Sequence, residues 1–77
     1  MNISYVLVQS TIGHDMEVVS ALLKIDLIKE ARGTFGYYDI LVKIEAPSEK
    51  EIERVITKNM RKVKNINSTT TLSVISE

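Results

Sequence analysis

The sequence predicts an α+β fold. We expect a ferredoxin-like split βαββαβ chain with one four-stranded antiparallel sheet, two helices on one face, and dimerisation through the other face. Three observations carry this. The spacing of apolar residues alternates between strand and helix periods in the order β-α-β-β-α-β. The second and third strands are separated only by a short glycine turn, so they form a hairpin, while the other two connections are helical crossovers. The first strand is apolar on both sides, which leaves one sheet face in need of a cover that this chain has no residues left to supply.

Each element has its own signal. Residues 3–8, Ile-Ser-Tyr-Val-Leu-Val, are short, β-branched and aromatic, as in a strand, with Tyr5 and Leu7 on one face and Val6 and Val8 on the other. Thr11-Ile12-Gly13 breaks it. Over residues 14–24, Met16, Val19, Leu22 and Leu23 recur at helical spacing, Asp15 and Glu17 sit in the first turn, and Lys24 closes the last, which suits the helix dipole. A second strand is expected over about 26–32. Gly33-Thr34-Phe35-Gly36 is the turn, since glycine permits the positive φ of tight hairpins. Residues 37–46 alternate most cleanly, with Ile40, Val42, Ile44 and Ala46 on one face and Tyr37, Asp39, Leu41, Lys43 and Glu45 on the other. Ser48 followed by Glu51 is a capping box opening a helix with Ile52, Val55, Ile56 and Val63 on one face, and Asn65 ends it. Residues 68–75, rich in threonine and β-branched side chains, form the last strand.

The bulk composition narrows the function. Seventy-seven residues are room for one domain, residues 1–77, without a separate DNA-binding domain. So small a core is marginal, and with no cysteine to cross-link it, self-association is the remaining source of stability. The absence of thiols and the presence of a single histidine argue against a thiolate or all-protein zinc site, and no cofactor is expected. Ten Lys plus Arg balance ten Asp plus Glu, so there is no net field to hold duplex DNA. No apolar run is long enough for a membrane span, and neither a basic leader nor a cleavage site precedes the first strand, so the expected location is the cytoplasm.

Few side chains could carry chemistry. His14, the one imidazole, falls at a helix start, where capping or a surface role explains it better than catalysis. Glu49, Glu51 and Glu53 serve the dipole of the second helix. Arg54, Lys58, Arg61, Lys62 and Lys64 cluster near its end, where they read as a solvated helix terminus rather than a nucleic-acid patch. Asp39 is less easily dismissed. Aspartate is depleted in strands, and this one lies on the face away from the helices, where a buried carboxylate needs a donor or a cation. Ligand contact and a hairpin-end aspartate satisfied by backbone N–H groups are equally open from the residues alone.

Gly36-Tyr37-Tyr38-Asp39, running on into Ile40-Leu41-Val42-Lys43-Ile44, resembles the G-x-Y-D signature of the regulation-of-amino-acid-metabolism (RAM) domain, the effector-sensing part of Lrp/AsnC transcription regulators. Pro47-Ser48 before a helix, then Val63 to Asn67, then the Thr69-x-Thr71 strand agree in order and spacing, so the resemblance covers essentially the whole chain. It implies a stand-alone sensing module, forming dimers and rings of dimers, with a small amino-acid effector bound between neighbouring dimers. By resemblance Asp39 receives the effector's ammonium group and Gly36 shapes the hairpin, with Gly33, Thr34, Tyr38, Thr69 and Thr71 as further ligand-binding candidates. Tyr5, Leu7, Tyr37 and Leu41 are the expected dimer interface. The family often has threonine directly before the motif glycine; here Phe35 intervenes and Thr34 is displaced. The implied role is transcription regulation through partners, including full-length Lrp/AsnC regulators, without direct DNA binding and without catalysis. Two alternatives have the same size and pairing: a dimeric ferredoxin-like enzyme of monooxygenase or isomerase type, and a pure oligomeric scaffold.

Overall fold

A computed structural model describes residues 2–34 and 39–76, and within β3 and β4 it leaves undescribed the side chains of residues 39 and 73–76. The elements follow in the expected order: β1 (Asn2–Ser10), α1 (Asp15–Leu23), β2 (Ile28–Gly33), β3 (Asp39–Ala46), α2 (Glu49–Arg54) and β4 (Ile66–Ser76). The four strands form one antiparallel sheet in the order β2-β3-β1-β4, which is the split βαββαβ arrangement.

The alternation read in β1 and β3 is the alternation found. Val6, Val8, Ile40, Val42, Ile44 and Ala46 are fully buried and pack with Val18 and Leu22 of α1 and Ile52 of α2. Tyr5, Leu7, Leu41, Lys43 and Glu45, on the other face, are half-buried. Ser48 caps α2 as its spacing promised, its Oγ accepting from the Glu51 amide at 3.4 Å.

Several boundaries and faces differ. β2 begins at Ile28, not near residue 26, because residues 26 and 27 are occupied in a turn closed by the Ile28 amide donating to the Ile25 carbonyl. α1 docks through Val18 and Leu22, with Val19 packed partly against the core, whereas Met16 is 80% and Leu23 49% exposed. Nearly every turn of this short helix carries an apolar side chain, so its spacing alone admits more than one inward face.

The second helix is not uniform. After Arg54 it widens into a π turn, Val55–Asn59, and tightens into a 3₁₀ turn, Met60–Lys62. Within that stretch the Thr57 hydroxyl donates to the Glu53 carbonyl at 2.7 Å. Regular α spacing from Val55 and Ile56 would direct Asn59 at the sheet. The extra residue of the π turn rotates Met60 into the core instead, where it is 1% exposed, and leaves Asn59 in solvent. The helical segment ends at Lys62, where Val63 turns extended, and not at Asn65 as expected; Asn65 sits in the turn that follows, in the left-handed region at φ 69°, which asparagine tolerates better than most residues.

Candidate functional site

The face that neither helix covers contains the expected interface. Tyr5 and Leu7 of β1 lie beside Lys43 and Leu41 of β3, their register partners. Tyr37, the fourth expected contact, lies outside the described residues. Towards β2 the apolar strip is bordered by charge. Lys43 Nζ lies 3.3 Å from Glu45 Oε1, and an Arg32 guanidinium nitrogen lies 3.6 Å from Glu30. The hydrogen bond to Glu45, reinforced by Tyr5, holds the Lys43 ammonium above its ordinary pKa. Towards β4 the strip is bordered by Ser68 and Thr70, the partners of Gln9 and Leu7. An apolar centre with a polar rim is the usual anatomy of a protein interface.

Asp39 opens β3, paired with Gln9, which in turn pairs with Ser68. The three positions therefore form one row across the sheet, on the uncovered face. Ser68 Oγ donates to Gln9 Oε1 at 3.3 Å. Next to this row, Leu7, Gln9, Ser68 and Thr70 line a shallow depression of about 200 Å³.

The other expected ligand contacts are more scattered. Thr69 and Thr71 pair with Val8 and Val6, so the register puts them on the helix-bearing face, opposite to Asp39. Thr69 there borders a separate depression of about 220 Å³ with Ile56, Met60, Arg61 and Ile66. Ser68 and Thr70, missed in the sequence reading, are β4 hydroxyl residues on the Asp39 face; only the strand register could have picked them out. Gly33 ends β2 opposite Ile40, and Thr34 follows it exposed. A Cβ at Gly33 would meet nothing within 4 Å among the described residues, and its φ is not positive. The turn argument thus fails at Gly33 and holds at Gly13, where φ is +83°. Gly36 and Tyr38 lie outside the described residues.

Elsewhere, His14 Nδ1 sits 3.2 Å from Glu17 Oε2 on the exposed start of α1 and makes no side-chain cap. Among the described residues no three His, Cys, Asp or Glu side chains converge as metal ligands would. Among the described residues no helix is long and apolar enough to cross a membrane.

The family model for the Lrp/AsnC ligand binding domain matches residues 5–77. The chain belongs to that family. Solved structures agree with the assignment. This Lrp/AsnC domain is 31% identical to a hypothetical protein, PHS023, from Pyrococcus horikoshii, over 100% of this chain and 92% of that one, with a TM-score of 0.89. It is 32% identical to FFRP-DM1, over 99% and 100% of the two chains, with a TM-score of 0.87. E. coli AsnC shares the fold at a TM-score of 0.86 and 21% identity, and there the Lrp/AsnC domain covers 99% of its own length and 51% of the other chain. No curated protein matches it.

Proposed function

We propose that this Lrp/AsnC domain is a sensing and oligomerisation module that binds an amino acid or related small amine between copies of itself, near the 33–39 hairpin. It acts in transcription regulation in the cytoplasm through partners, including full-length Lrp/AsnC regulators, and neither binds DNA directly nor catalyses a reaction. The observation that carries this reading is the row from Asp39 to Ser68 beside an uncovered apolar strip. A zwitterion needs an acid for its ammonium and donors for its carboxylate. Position 39 supplies the acid, and the Ser68 and Thr70 hydroxyls supply the donors. A depression of about 200 Å³ is smaller than the roughly 300 Å³ at which ligand pockets begin, which supports a site completed by a neighbouring copy.

The test is a thermal-shift screen against the twenty amino acids with the assembly mass recorded alongside. Calorimetry of wild type and Asp39→Asn against the best hit follows. A charge-assisted hydrogen bond contributes roughly 1.5–3 kcal/mol, so Asp39→Asn weakens binding by roughly one to two decades. Equal affinity in the two proteins makes Asp39 a hairpin residue, and no hit at all makes the module a scaffold.

A further inference from the structure

The strand order leaves β2 and β4 with one free edge each, and the two edges are built differently. β2 is six residues long, carries Lys29, Glu30 and Arg32, and has a register shift at its start. Shortness, charge and bulges are the devices by which edge strands avoid pairing with other chains. β4 is eleven residues long and contains no Lys, Arg, Asp, Glu or Pro. Its guards are two bulges, at Leu72, where pairing steps from Tyr5–Ser73 to Val6–Thr71, and at Asn67, where it steps from Gln9–Ser68 to Ser10–Ile66. Between the two bulges, residues 68–71 run in unbroken register against β1 and are all exposed, so nothing among the described residues covers their outer edge. Every second N–H and C=O of that stretch faces away from β1.

We propose that the outer edge of β4, over residues 68–71, pairs antiparallel with the same edge of a second copy and joins two four-stranded sheets into one of eight strands. The composition selects a second copy as the occupant. A two-fold axis at Thr69 sets Thr69 against its own counterpart and Ser68 against Thr70. All of these are uncharged hydrogen-bonding side chains, and three of the four residues 68–71 are threonines. Threonine and serine opposite one another are favourable cross-strand pairs, and no like charges meet anywhere along the strand. The contact is isologous and closes on itself, so it leads to a defined dimer rather than a fibre. It uses the edge, not the face bearing Tyr5, Leu7 and Leu41, so edge and face contacts together assemble four or more copies. The edge contact stands independently of any ligand.

The experiment pairs Thr69→Lys/Thr71→Lys with Leu7→Glu, each checked for fold by circular dichroism. Both threonines are exposed, so lysine there leaves the protomer intact while setting ammonium against ammonium across the two-fold axis. In light scattering the lysine pair weakens association by roughly tenfold or more and halves the wild-type mass. Leu7→Glu leaves a dimer, and the three substitutions combined leave a monomer. Amide exchange reads the contact directly. In the wild type at high concentration the outward-facing amides of residues 68–71 are protected along with the inward ones; on dilution, or in the lysine variant, only the inward set stays protected. Outward amides that exchange freely at every concentration, or a lysine variant with the wild-type mass, overturn the proposal, as does protection that appears only on adding a different protein.

Discussion

Leu7 and Leu41 stand directly opposite each other in the β1–β3 ladder, on the face neither helix covers. Fully burying a leucine contributes about 1.5–3 kcal/mol, and a two-fold contact uses each leucine twice. Leu7→Glu is expected to weaken the face contact by roughly two decades or more, halving the mass seen by light scattering, while the circular dichroism of the protomer is unchanged. An unaltered mass would move the interface elsewhere.

The row formed by Asp39, Gln9 and Ser68 makes a prediction about threonines. If the effector sits on that face, Ser68→Ala and Thr70→Val each lose a neutral hydrogen bond and weaken binding by roughly two- to tenfold. Thr69→Val and Thr71→Val, at register positions on the opposite face, stay within about twofold of the wild type. Calorimetry on the four variants decides it, and the reverse ranking would place the site on the helix-bearing side.

Two adjacent leucines report how α1 docks. Leu22 is fully buried and Leu23 is about half exposed. Leu22→Ala should cost about 2–5 kcal/mol in urea unfolding, enough to unfold much of so small a domain. Leu23→Ala should stay within about 1 kcal/mol of the parent. Equal costs would mean the helix is rotated.

Lys43 and Glu45 set a limit at high pH. The Lys43 pKa is raised above its ordinary 10.5, so the folded chain holds this proton more tightly than the unfolded chain does. The pair's contribution is therefore fully present below about pH 10 and is lost as pH rises through the folded pKa. In an NMR titration of the lysine side chains, Glu45→Gln returns Lys43 towards its ordinary value. A titration unmoved by that substitution would show that the hydrogen bond is not the cause.

Ser4 is buried in β1, and its Oγ has no hydrogen-bond partner among the described residues. Ser4→Ala removes an unsatisfied hydroxyl without changing the backbone, and is expected to stabilise the fold by about 1 kcal/mol, a rise of roughly 4–8 °C in Tm. A lower Tm would show that the hydroxyl is satisfied in solution.

Much of this architecture is legible in the chain itself. Element order, the two-sided character of β1, the inward set of β3 and the Ser48 cap are all local, because strand alternation and capping depend on residues no more than a few positions apart. The Gly-x-Tyr-Asp signature pointed to the family for the same reason, as a contiguous string. Docking is not local. α1 carries Met16, Val18, Val19, Ala21, Leu22 and Leu23 in nine residues, and only contact with the sheet selected Val18 and Leu22 as the inward pair. The phase of the second helix was likewise decided by a π turn that brings Met60 in where simple spacing points to Asn59. Which hydroxyls of β4 share a face with Asp39 depends on its register against β1, and a shift of one residue exchanges the two faces. Sequence periodicity determined what kind of element each segment is; the tertiary contacts determined which side of it faces the core, because several faces of these short elements are apolar enough to serve.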